Sequence, residues 1–102
     1  VNKEKKMIVT LCGSTKFKAR FMEVKKNFES RGIIVEMPPV FSKADGIILT
    51  KKDVHKLECL QYEKIRNSDS IYVVNCDEYI GEHTRKEIDL AKHLGVGIFY
   101  DE

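Results

Sequence analysis

Two short runs constrain the fold more than anything else in the chain: M-I-V-T-L-C at Met7–Cys12 and S-I-Y-V-V-N at Ser70–Asn75. Each is apolar or β-branched at nearly every position, without the alternation of a strand that faces water on one side. Such a run is a strand covered on both faces, and strands of that kind belong to a parallel sheet with helices above and below. Segments with helical periodicity separate the runs. Between Lys16 and Arg31, Phe17, Phe21, Val24 and Phe28 recur at intervals of four, three and four residues, the stripe of an amphipathic helix. Ser14 or Thr15 suits its N-cap and Gly32 its C-terminal stop.

The remaining elements follow from similar signals. Ile33–Met37 reads as a second strand, ended by Pro38-Pro39 because proline lacks the amide a ladder needs. Val40–Leu49 reads as a loop with an Ala-Asp-Gly turn, whose Ile47, Ile48 and Leu49 need cover from the next helix or a partner subunit. Thr50 and Asp53 have the spacing of a capping box, and a helix with Val54, Leu57, Tyr62 and Ile65 facing inward runs to about Asn67. Cys76–Glu82 reads as a loop, and His83–Leu94 as a helix with Ile88, Ala91 and Leu94 inward and Gly95 as its stop. Gly97–Tyr100 is a last short strand. The predicted fold is a single α/β domain over residues 1–102, a three-layer sandwich of flavodoxin or Rossmann type. Its four-stranded parallel sheet has the order 2-1-3-4 with helices on both faces, and the basic residues 1–6 form a disordered tail.

Composition excludes several classes of function. The formal net charge is +2, too balanced for an electrostatic case for nucleic acid, and none is expected as a partner. No apolar stretch reaches the length of a membrane span, no signal-peptide pattern is present, and no membrane association is expected. Cys12, Cys59 and Cys76 are odd in number and without paired spacing, which favours a reducing compartment and predicts a cytoplasmic location. Cys12 and Cys76 both end central strands, which suggests that they are near neighbours, and buried packing is the simplest account of them. His55 and Cys59 stand at i and i+4 without a third ligand, so no metal is expected.

With that strand order the chain reverses direction between the first and third strands, and ligands bind in the crevice at the carboxyl ends of those strands. Two loops meet there. In the first, Gly13 allows a close backbone approach, and Ser14, Thr15 and the helix-start amides can donate to an anion; a plain strand-to-helix turn with a serine cap reads the same way. The second runs from Cys76 to Thr84. Gly81 loosens it, and the amides near His83 and Thr84 form another potential anion site. Asp77 could bond a sugar hydroxyl or assist proton transfer, and Tyr79 could stack on a base, line the crevice or pack at a subunit interface. Glu87, one turn into the helix, stands at the edge of its buried face. It is a carboxylate that could sit beside a ligand, although its spacing fits equally a favourable acid near a helix start.

Taken together, L-C-G-S-T-K-F, N-S-D-S-I-Y-V-V-N and Y-I-G-E-H-T-R-K-E-I-D-L-A-K-H-L-G resemble the nucleoside 2-deoxyribosyltransferase-like superfamily, in particular its short bacterial and phage members. The superfamily includes the 2′-deoxynucleoside 5′-phosphate N-hydrolases, and the resemblance extends from Met7 to Tyr100. It implies N-glycosidic bond cleavage or base exchange on a deoxynucleoside or its 5′-monophosphate, without a cofactor. Glu87 matches the glutamate that attacks C1′ and forms a covalent glycosyl-enzyme, chemistry shared with retaining glycosidases. Gly13, Ser14 and Thr15 would contact sugar or base, and Gly81, His83 and Thr84 a 5′-phosphate. The family also implies a homodimer or larger assembly. Two departures stand out. Where characterised enzymes carry an aspartate, eight residues before Asp69, this chain has Gln61, which can orient a hydroxyl but cannot take a proton. Gly13 also stands alone where the hydrolases have more glycine. A non-catalytic module that binds a nucleotide or a nucleotide-derived signal is the alternative reading.

Overall fold

The computed structural model describes residues 6–102. The predicted tail at residues 1–6 therefore falls outside the described residues except for Lys6. Four strands, β1 (Ile8–Gly13), β2 (Ile34–Glu36), β3 (Ser70–Val74) and β4 (Gly97–Tyr100), form one all-parallel sheet in the order β2-β1-β3-β4. Four helices connect them: α1 (Lys18–Ser30), α2 (Ser42–Asp45), α3 (Lys51–Arg66) and α4 (Glu82–Leu94). The three-layer α/β architecture and strand order are those predicted.

Alternation along the two central strands divides the core. Val9 and Leu11 of β1 and Val74 of β3 point to one face, where Phe21 and Val24 of α1 and the buried Phe41 cover them. Cys12 of β1 and Ile71 and Val73 of β3 point to the other, against Ile65 of α3 and Ile88 and Ala91 of α4. Cys12 and Cys76 are thus not neighbours in one cluster, because Cys76 packs on the α1 side of the sheet. The β1–β3 register, from Val9↔Ser70 to Gly13↔Val74, brings the ends of the central strands level. Asp69 anchors their start: its carboxylate accepts from the Ile8 amide at 2.7 Å, and its own amide donates to the Ile8 carbonyl at 2.9 Å.

The local signals produce the expected turns, with some differences. Ser14 caps a short 3-10 turn over Thr15–Phe17 before α1 begins. Thr50 and Asp53 form the reciprocal capping box of α3. The segment read as a loop over 40–49 contains α2, stopped by Gly46 in the left-handed conformation. Phe41, just ahead of α2, stacks edge-on against Phe21 at 5.2 Å and anchors the segment. Ile48 receives no cover and is 95% exposed, whereas Leu49 turns toward the carboxyl end of the sheet. Leu94, predicted inward, is 43% exposed, because α4 ends there in a left-handed Gly95 and the next contact to the core comes from Val96. No helix among the described residues is long and apolar enough to cross a membrane.

Candidate functional site

A cavity of about 460 Å³ opens at the carboxyl ends of β1, β2 and β3, within the range that holds a nucleoside-sized ligand. Its walls come from five places: the turn Gly13–Thr15, the turn Pro38–Val40, the α2 segment, one face of α3, and Tyr79 together with the start of α4. Nine of the ten residues singled out from the sequence line it: Gly13, Ser14, Thr15, Gln61, Tyr79, Gly81, His83, Thr84 and Glu87. The tenth, Asp77, does not. It is exposed in a left-handed turn (φ 56°), and its amide donates to Glu102 Oε2 at 3.2 Å, outside the cavity wall.

Glycine is required at the first turn. A Cβ on Gly13 would stand 2.5 Å from the Val74 carbonyl oxygen, and φ is +147°. The absence of a side chain lets β1 and β3 run together to the cavity edge. Ser14 is buried, and its Oγ accepts from the Lys16 amide at 3.4 Å. Thr15 Oγ1 accepts from the Lys43 amide at 3.1 Å, and Lys18 pairs with Asp45 at 2.8 Å, so α2 is tied both to this turn and to the start of α1. Lys64 Nζ donates to the Met37 carbonyl at 2.6 Å and fixes the end of β2 against α3.

On the opposite wall, Gly81 caps α4 without a side chain, and Arg85 supplies the first amide bonded inside the helix, to the Gly81 carbonyl at 3.0 Å. The amides of Glu82, His83 and Thr84 precede it, as at any helix start. Tyr79 presents one ring face to the Lys16 ammonium, 3.8 Å from the ring centroid, and meets Phe17 edge-on at 6.1 Å. His83 Nδ1 lies 3.4 Å from Glu58 Oε1, and Tyr62 donates to Glu58 Oε2 at 3.2 Å. Burial pushes the Tyr62 hydroxyl up to about 12, with Glu58 adding to the effect.

Two side chains on the cavity floor are unusual. Glu87 Oε1 and Gln61 Oε1 are both buried, and neither has a hydrogen-bond partner among the described residues. Burial pushes the Glu87 carboxyl up to about 7; Cys12 and Gln61 beside it favour the charged form, and Glu58 opposes it. Gln61 is only 5% exposed, and its Nε2 donates to the Leu11 carbonyl at 3.1 Å and to the Cys12 thiol at 3.8 Å. The Cys12 thiol itself is pushed up by burial and then by Glu87. It is a neutral neighbour here rather than a nucleophile.

Gln61 interrupts the apolar periodicity of α3, and the interruption is itself a signal. Val54, Leu57, Gln61 and Ile65 lie on one stripe, and a polar residue set within it marks a buried hydrogen-bonding group. Pro38–Val40 and Leu49 also line the cavity, and their place follows from the proline stop at the carboxyl end of β2. His55 and Cys59 face each other at 3.8 Å on the exposed side of α3, away from the cavity. No family model matches the chain, and no curated protein matches it significantly.

Proposed function

We propose that this protein cleaves or exchanges the N-glycosidic bond of a deoxynucleoside or deoxynucleoside 5′-monophosphate, with Glu87 as nucleophile. One observation carries the reading. A buried carboxyl with an unpartnered oxygen lies on the floor of a nucleoside-sized cavity, where a parallel sheet presents ligands to its strand ends. A carboxyl pushed up to about 7 is ionised in a substantial fraction of molecules at neutral pH, and it is more basic than an ordinary surface glutamate.

The reaction runs in two displacements. A Glu87 oxygen bonds to C1′ as the C1′–N bond breaks, the electron pair leaving on the base nitrogen, which then takes a proton. Water, or a second base, attacks C1′, releases the ester oxygen back to Glu87 as a carboxylate, and gives up its proton to solvent. Ser14 and Thr15 contact the sugar or base, and Tyr79 lines the cavity beside them. Where a 5′-phosphate is present, the amides ahead of Arg85 and the Thr84 hydroxyl receive it. The resemblance also supports a homo-oligomer, to which the uncovered Ile48 offers apolar area. The free cysteines suit a cytoplasmic location.

Incubation with each deoxynucleoside and deoxynucleotide, followed by chromatography for free base, tests the reading. The expected result is base release by the native protein and none by a folded Glu87→Gln variant; release that survives the substitution removes Glu87 from the role. A binding module without turnover is the second reading, favoured by the neutral Gln61 where an acid would serve proton transfer. Its signature is thermal stabilisation by a nucleotide with no product formed.

A further inference from the structure

The Gln61 amide has only one chemically sensible orientation. Its Nε2 donates to the Leu11 carbonyl and to the Cys12 thiol. Exchanging the two ends would set Oε1 against the Leu11 oxygen, acceptor facing acceptor, so Oε1 is the end left over. That oxygen is buried, lacks a partner among the described residues, and belongs to a residue of the cavity wall. Glu87 stands beside the same thiol with an unpartnered oxygen of its own. An unmatched buried acceptor is destabilising, and Gln61 Oε1 suits a ligand that brings a donor.

We infer that Gln61 recognises the sugar of the ligand: its Oε1 accepts a hydrogen bond from a sugar hydroxyl while Glu87 faces the anomeric carbon of the same ring. The inference rests on the nucleoside reading above. A group that meets Gln61 while Glu87 faces C1′ lies only a few bonds from C1′, because both residues flank one thiol. The positions of the base that flank its bond to C1′ present a carbonyl oxygen or an unprotonated nitrogen on one side and a C–H on the other, whereas the sugar offers hydroxyls. The same placement favours a glutamine over an acid at this position. An ionised acid could not donate to the Leu11 carbonyl, and it would set a second negative charge beside Glu87.

The test measures thermal stabilisation of the native protein by deoxynucleosides and their 5′-monophosphates, and affinities from ligand titration. The best nucleoside is then compared with analogues lacking the 3′ or the 5′ hydroxyl, against native protein, Gln61→Met and Gln61→Glu. Removal of one of the two hydroxyls is expected to weaken binding to native protein on the order of tenfold. The same removal makes little difference in Gln61→Met, and Gln61→Glu gains neither affinity nor turnover. Equal binding of parent and both analogues by native protein overturns the inference without recourse to any variant. So does an unchanged hydroxyl dependence in Gln61→Met, or a gain in Gln61→Glu. If no nucleoside or nucleotide binds, the nucleoside reading itself fails and this inference falls with it.

Discussion

Replacement of Glu87 by glutamine is expected to stabilise the protein above neutral pH and to leave it nearly unchanged in mild acid. Glutamine has the shape of the protonated side chain and carries no charge, so it removes only the burden of burying an ionised group. In the folded protein the carboxyl titrates at about 7 against an ordinary value of 4.5. The folded state therefore holds the proton more tightly than the unfolded state, and stability is lost as pH rises between the two values. Each unit of difference corresponds to about 1.4 kcal/mol, so the full penalty above pH 7 is roughly 3 kcal/mol, falling to about 1 kcal/mol near pH 5. For a chain of this size, 3 kcal/mol corresponds to about 14 °C in Tm. Thermal unfolding of native and Glu87→Gln protein at several pH values measures the difference directly. A variant that is less stable than native protein at pH 8, or a difference that does not shrink on acidification, would refute the reasoning. The expected gain in stability with loss of chemistry is the pattern of a group retained for function against its cost to the fold.

Three further outcomes follow from other parts of the structure. Gly13→Ala should destabilise by about 2–3 kcal/mol in chemical denaturation, because the new methyl meets the Val74 carbonyl oxygen, which the sheet holds in place. Asp101 accepts two hydrogen bonds from Arg20, at 2.7 and 2.8 Å, and one from Tyr72 at 2.7 Å, and Arg20 is the main group holding its carboxyl below the usual range. Asp101→Asn should therefore cost about 2 kcal/mol at neutral pH, a difference that persists above the unfolded carboxylate value and fades as pH falls through the lower folded value. Base release, which needs Glu87 ionised, should rise with pH through an ascending limb near 7, seen in initial rates across a pH series.

The fold was legible because its main signals are local and mutually consistent. The apolar runs of β1 and β3 have no amphipathic alternative, the Phe17–Phe28 stripe has one helical period, and Thr50 with Asp53 marks a helix start without reference to the rest of the chain. The α2 segment was not legible, because a single turn of helix is held by tertiary contacts: Phe41 against Phe21, Lys43 against Thr15 of the β1 turn, and Asp45 against Lys18 of α1. Glu87 and the glycine-bearing turns could be placed at the strand ends from topology alone. The partners of Glu87 could not. In a strand buried on both faces, sequence does not say which side Cys12 takes, and the meeting of Cys12, Gln61 and Glu87 depends on that choice. Asp77 was misplaced for a related reason, since the left-handed turn at Asp77 and Glu78 carries the backbone away from the crevice before Tyr79 returns to it.

Covalent capture addresses the central claim most directly. A 2′-fluoro-arabinosyl nucleoside slows both displacements, because the fluorine destabilises the positive charge that develops at C1′, and the glycosyl-enzyme accumulates where the base departs faster than water attacks. Incubation of the protein with such compounds, followed by mass spectrometry of the digested chain, should show one fluorinated deoxyribosyl group on the peptide containing Glu87, accompanied by stoichiometric free base. Base release with the sugar attached to another residue, or with Glu87 unmodified at every time point, would contradict the account.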